Sequence, residues 1–293
     1  MANGMIVIDK SQDWTSHDVV AKLRGLLHER RIGHAGTLDP MATGVLPVFV
    51  GRATRAVEYA AEGEKEYLAG LRLGTVTNTQ DTTGTVLSTK QVCISQDTLI
   101  GALPHFTGPT HQIPPMYSAI KMQGKKLYEL ARKGIEVERK PRPIVIHALT
   151  LEAQQSETDF LLRVRCSKGT YVRTLCHDIG TYLGCGGTMF FLQRTMAAGF
   201  TLEDCISLEQ LSALSQEARN RALLPTDRCF LQYPALTCTE EEERRFIRNG
   251  TPYPCQAPEA RYRVYGADGH FLMLGQVSNG KMVTEKSFFQ VMT

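Results

Sequence analysis

One carboxylate stands in the middle of the run His34-Ala35-Gly36-Thr37-Leu38-Asp39-Pro40-Met41-Ala42-Thr43-Gly44-Val45-Leu46-Pro47-Val48. Gly36 and Gly44 give the backbone freedom, and Pro40 and Pro47 remove it. A residue that precedes proline is pushed out of the helical region. Asp39 is therefore expected to sit extended at a loop tip with its side chain projecting. A carboxylate held so can act as a nucleophile or face a developing positive charge. The same spacing also suits a plain turn aspartate before proline.

The literal string resembles the catalytic loop of the bacterial tRNA pseudouridine-55 synthase family, Gly-x-Leu-Asp-Pro-x-Ala-Thr-Gly-x-Leu-Pro. Gly36, Leu38, Asp39, Pro40, Ala42, Thr43, Gly44, Leu46 and Pro47 all match it. Lys10 to Ser16 resembles the family's Lys-Pro-x-Gly-x-Thr-Ser, with Ser11 and Asp13 in place of the proline and glycine. Further stretches follow the same pattern: Lys65-Glu66-Tyr67, Leu71 to Gly74, Gln112 to Lys121, and Ser167 to Arg173. The resemblance implies that Asp39 is the essential carboxylate, that Arg173 is delivered to it, and that Tyr67 meets both uracil and sugar. It implies that Tyr171 and Leu192 wall the uracil pocket. His34 would pack where the target base leaves the RNA loop, without general-base duty. Lys10 keeps no assigned role, because the Ser11 and Asp13 departures alter its loop.

In such enzymes a uridine is detached at N1, rotated and rejoined through C5, with no cofactor and no metal. Attack on ribose C1′ and addition to uracil C6 both need one carboxylate. Glycosidases, which also face an anomeric centre, need a second carboxyl group; no second acidic residue is marked out here. Asp81-Thr82-Thr83-Gly84 only faintly echoes an aspartic protease string and reads as a loop.

Composition sets the frame. The chain has 293 residues, 42% hydrophobic and 22% charged, with a formal charge of +3, as a soluble globular protein has. Met5 to Ile8 is too short for a signal peptide, and Met41 to Gly51 is too short to cross a bilayer. No membrane association and a cytoplasmic location are expected. The eight cysteines are scattered without zinc-finger spacing, so neither zinc nor disulfides are expected. Between Lys121 and Arg142, eight Lys and Arg face three Glu, a surplus larger than that of the whole chain. Tyr117 and Tyr128 accompany this run. A solvated helix could carry such charge, but aromatic residues among cations suit a nucleic-acid surface. Lys121, Lys125, Lys126, Arg132 and Lys133 are the expected RNA contacts.

Patterning predicts strands over Met5–Ile8, Val45–Val50, Glu66–Leu73, Ile144–Leu151, Phe160–Cys166 and Met189–Leu192. Pro47 argues for a bulge or an edge in the second of these. Helices are predicted from a Ser16 cap, over Arg52–Ala61, from Ser95, over 126–133 and over Tyr171–Leu183, with Gly108 to Gly124 as loop. Strands and helices alternate irregularly, giving an α/β (α+β) chain with a mixed sheet. Near residue 230 the texture turns to a short helix over Glu240–Arg248 and three strands separated by turns. Residues 1–229 are thus read as a catalytic domain with an RNA-gripping insertion near 108–143. Residues 230–293 are read as a small β-rich domain, PUA-like by resemblance. The resemblance further implies a pseudouridine synthase fold with a mainly antiparallel sheet flanked by helices and loops. It implies action on uridine 55 in the TΨC loop of tRNA. The insertion over Pro114 to Arg142 favours the stand-alone type over the guide-RNA-dependent branch, and no long heptad pattern suggests a dimer, so a monomer without guide RNA is expected. A tRNA-folding factor that does not need catalysis is the alternative; the intact Asp39, Tyr67 and Arg173 set argues against it.

Overall fold

Met5, Ile6, Val7 and Ile8 are all buried in β1 (Gly4–Lys10), and a strand apolar on both faces belongs inside a covered sheet. Its even residues join one core and its odd residues another, as the two-residue repeat of a strand requires. The computed structural model describes residues 2–122 and 124–289. The outer ends of both expected domains, at residues 1 and 290–293, lie outside that range.

After β1 come α1 (Ser16–Leu27), β2 (Ile32–His34) and β3 (Thr43–Val50). Helix α1 is capped by Thr15, not by Ser16 as predicted. Thr15 forms a capping box with Asp18, which frees the buried Ser16 hydroxyl for other work. A 3-10 helix over Gly51–Ala56 runs into α2 (Val57–Glu62), where one α-helix was predicted. Then follow β4 (Lys65–Leu73), the hairpin β5 (Thr75–Thr77) with β6 (Val86–Thr89), and α3 (Gln96–Ala102). The predicted loop after Gly108 instead holds a strand, β7 (Gly108–Gln112), and the start of a two-residue hairpin, β8 (Lys121–Met122) with β9 (Lys125–Lys126). Pro109 is admitted because β7 is the outermost strand of its sheet, where a missing N–H need not be paired. Helix α4 (Leu127–Ala131), β10 (Arg142–Gln154), β11 (Asp159–Cys166), α5 (Val172–Tyr182), β12 (Gly187–Ala197), β13 (Phe200–Thr201) and β14 (Ile206–Ser207) complete the large sheet.

The strand order is β14-β1-β3-β12-β4-β11-β10-β7, with β2 beside β3 and β13 beside β12. Only β1/β14 and β3/β12 are parallel, so the sheet is mixed and mainly antiparallel. No bulge marks Pro47: β3 pairs with β1 in unbroken register. On its other side β3 meets β12 only at Thr43–Gly44 and β2 only at Val48–Val50. Pro47 falls in the gap between those ladders. Apolar side chains of α1 and α5 cover one face of the sheet.

A second sheet, of order β15-β17-β18-β19-β16, follows: β15 (Ala235–Thr237), β16 (Tyr253–Pro254), β17 (Arg261–Tyr265), β18 (Phe271–Ser278) and β19 (Lys281–Ser287). It has its own core around Ile247, Val264, Met273 and Met282. Phe271, Phe288 and Phe230 join it to the far face of β1 and β3, with Phe271 and Phe288 stacked at 5.1 Å. The predicted helix over Glu240–Arg248 is one α-turn followed by a π-helical turn over Glu243–Ile247.

Candidate active site

The Asp39 loop is pinned residue by residue. Ser16 Oγ accepts from the Leu38 N–H at 2.9 Å and donates to the Leu38 carbonyl at 3.3 Å. Lys10, with no exposed surface, donates to the carbonyls of Ser11 (3.0 Å), Trp14 (2.6 Å) and Pro40 (3.2 Å). The Asp13 N–H also donates to Pro40, at 2.9 Å. Lys10 therefore has a clear position despite the departures beside it. Asp13 takes φ 66° where the family pattern has glycine, a conformation that aspartate tolerates better than most residues. Burial pushes the Lys10 ammonium down to about 8, against the pull of Asp39 and then Asp13.

Arg173 sits in the first turn of α5 and is almost completely buried, and its Nε lies 2.9 Å from Asp39 Oδ2. The Asp39 side chain stays 40% exposed. The rest of the guanidinium is fully used. Nη1 donates to the Thr79 carbonyl (3.1 Å) and Nη2 to the Tyr117 carbonyl (2.9 Å). Asp81 Oδ2 stands 3.7 Å from Nη1. The 77–84 loop, dismissed from its string, is thus part of the site, and a second acidic residue does stand there. Asp81 is buried and accepts from Thr79 Oγ1 (2.8 Å), the Thr83 N–H (3.0 Å) and Thr83 Oγ1 (2.5 Å). It braces the arginine rather than facing the opening.

Tyr67 is buried on β4, opposite Arg194 of β12 and Val164 of β11. Burial raises its hydroxyl pKa, and the Arg194 guanidinium pulls the other way. Leu192 is buried two residues before Arg194 on the same strand. Tyr171 precedes α5, with Gln112 gripping its backbone through N–H (2.8 Å) and carbonyl (3.0 Å); burial raises its hydroxyl pKa too. His34 ends β2, edge-on to His17 at 5.6 Å, with a buried Nδ1 that has no hydrogen-bond partner among the described residues. Burial, then His17 and Arg194, hold its imidazole down at about 4, so it is neutral near pH 7. Arg194 and Lys65 are buried cations that sequence reasoning passed over. Lys65 donates to the Ala61 and Gly63 carbonyls, and burial pushes it down to about 8.

The basic residues form a separate surface. Lys121, Lys125, Arg132 and Lys133 are exposed around the β8–β9 hairpin and α4. Lys126 and Arg132 each lie 5.4 Å from the Tyr128 ring centre, on which they pack as cations. The Tyr117 carbonyl ties this segment's root to Arg173. Among the described residues no group of three or more His, Cys, Asp or Glu is placed to hold a metal ion, and no helix is long and apolar enough to cross a membrane. All eight cysteines are free thiols.

A family model for the TruB family pseudouridylate synthase N-terminal domain matches residues 24–172. A model for the tRNA pseudouridylate synthase B C-terminal domain matches residues 173–231. The chain is similar to tRNA pseudouridine synthase B of Clostridium kluyveri, with 42% identity over 93% of this chain and 95% of that one. It is similar to the same-named protein of Francisella philomiragia, at 40% over 98% and 95%. For that of Alkaliphilus oremlandii the figures are 48% over 77% and 74%. Among solved structures, a Cbf5-Nop10-Gar1 complex superimposes with a TM-score of 0.75 and 25% identity, covering 98% of this chain and 85% of that one. Motif, site geometry and comparisons agree: the chain belongs to the TruB family of pseudouridylate synthases.

Proposed function

We propose that this chain isomerises uridine to pseudouridine at position 55, in the TΨC loop of tRNA. It flips the base and uses Asp39 without a cofactor. The observation that carries the reading is the Asp39–Arg173 pair: a buried guanidinium 2.9 Å from a carboxylate that stays partly open. The reaction breaks the C1′–N1 bond, turns the ring and joins C1′ to C5; C5 loses a proton and N1 gains one, so no redox partner is needed. Asp39 supplies the negative charge that attacks or steadies the electron-poor centre. Tyr67 contacts the ring and sugar, and Tyr171 and Leu192 close the pocket around the base. Asp81 sits behind Arg173 and braces it, so the reaction keeps a single reactive carboxylate.

A base stacked in RNA must first leave its stack, at a cost of about a few kcal/mol. Aromatic stacking returns about 1–3 kcal/mol per base. Phosphate contacts from Lys121, Lys125, Lys126, Arg132 and Lys133 add the rest, with His34 packing where the base departs. The names of the relatives support tRNA as substrate. Their 40–48% identity, against 25% to the Cbf5 complex, supports a stand-alone monomer that grips the T arm through residues 108–143 without guide RNA. The separate sheet and core after Phe230 support a division into domains 1–229 and 230–293. A cytoplasmic location follows from the substrate.

The test is to incubate unmodified tRNA with the protein alone and map pseudouridine by chemical labelling. A single new site in the TΨC loop, without metal or guide, is the expected result. No modification, or modification elsewhere, refutes the reading.

A further inference from the structure

Arg194 is 1% exposed, yet its side chain reaches both ends of the catalytic loop. Nε donates to the Val45 carbonyl at 2.7 Å and Nη2 to the Gly36 carbonyl at 3.1 Å. Those carbonyls stand on opposite sides of Asp39 in the chain. The backbone of the same residue closes the loop's exit, because β12 meets β3 only through Gln193–Thr43 and Arg194–Gly44. Both glycines of the loop are shaped to this arginine. Gly44 has φ +97°, and a Cβ there would fall 2.3 Å from the Arg194 carbonyl oxygen. Gly36 has φ +82°, and its Cβ would fall 3.1 Å from Arg194 Nη1.

The charge is also unusual. Arg194, Lys10 and Lys65 are all buried; they donate to backbone carbonyls, and among the described residues none is in an ion pair with a carboxylate. Burying an unpaired cation is unfavourable by several kcal/mol, so a staple for backbone carbonyls alone would be better made from a neutral donor. The charge instead acts on Tyr67, its register partner on β4, whose hydroxyl it pulls down against the effect of burial.

We propose that Arg194 is a positioning residue of this active site: its guanidinium clasps the 36–45 loop at both ends, fixing Asp39 against the flipped nucleotide, and holds Tyr67 from the side. The inference rests on the pseudouridine synthase reading above. A lysine at this position keeps the charge but cannot bridge two carbonyls as the planar fork does.

The experiment measures single-turnover rate and tRNA dissociation constant for the full-length wild type, Arg194→Lys and Gly36→Ala, with hydrogen exchange of each free protein. Arg194→Lys should lose about 100-fold in rate and keep tRNA affinity within about twofold, with faster exchange confined to 36–45. Gly36→Ala, which crowds Nη1, should show the same split more weakly, and it decides the matter if the lysine variant does not fold. The proposal is overturned if folded Arg194→Lys keeps its rate within about threefold. Rate and affinity falling together, or failure of both variants to fold, overturns it equally. An inactive wild type would sink the functional reading itself; an active wild type beside an equally active Arg194→Lys sinks the positioning role alone.

Discussion

Two sets of cations divide this molecule. Lys10, Lys65, Arg173 and Arg194 are buried around the Asp39 loop, while Lys121, Lys125, Arg132 and Lys133 stand in solvent on the insertion. The buried set is satisfied by carbonyl oxygens and, for Arg173 alone, by carboxylates. Among the described residues the exposed set makes no ion pair with a carboxylate, and Arg132 packs on the Tyr128 ring. Side chains of the same charge thus do opposite jobs. On the function proposed above, the buried cations fix geometry, and the exposed ones supply a field that steers and holds a polyanion.

Removing a buried cation should therefore damage rate, and removing an exposed one should damage affinity. The largest effect is expected for Arg173→Lys, which cannot serve Asp39, Thr79, Tyr117 and Asp81 together. Single-turnover rate should fall about 10²–10³-fold with tRNA affinity nearly unchanged; a matching loss of affinity would blur the division. Next is the combined Lys125→Ala, Lys126→Ala, Arg132→Ala and Lys133→Ala variant. Its tRNA dissociation constant should rise and its salt slope should flatten by about one per lost phosphate contact. An unchanged slope would remove the insertion from the interface.

A smaller effect belongs to Lys10. Its folded-state pKa of about 8 lies below the unfolded 10.5. Between those values the unfolded chain binds more protons, so this residue's contribution to stability rises with pH across that window. The stability of wild type minus that of Lys10→Met should increase from pH 7.5 to pH 10, read from urea midpoints; a flat or falling difference contradicts a desolvated ammonium. The smallest effect is expected for exposed Asp13→Gly, which relieves φ 66°. It should shift stability by less than about 1 kcal/mol and leave the rate alone; a lost rate would show that the aspartate side chain matters.

Asp39 and Arg173 were legible because both sit in long strings whose residue types are constrained together. The same holds for β1, β4, β11 and α5, whose apolar periodicity is strong. Burial of a cation leaves no such mark. Nothing in the sequence around Lys65 or Arg194 says that the charge lies inside, because their partners are backbone carbonyls set by strand order. Asp81 was hidden for a related reason: its role comes from Thr79 and Thr83 folding around it and from α5 arriving from far along the chain. Pro109 and Gly108 concealed β7, since residues that break central strands are tolerated on an edge. Thr15 and Ser16 show the finest ambiguity. Either hydroxyl could cap α1, and tertiary demand from Leu38 decided which one was free.

On the proposed function, one carboxylate, that of Asp39, carries the chemistry. Joining C1′ to C5 expels the C5 hydrogen, so tRNA labelled with tritium at uridine C5 reports the reaction directly. Asp39→Asn removes the charge at constant size and should bind this tRNA like the wild type while releasing no tritium to water. Release by that variant at a rate near the wild type's would contradict the account.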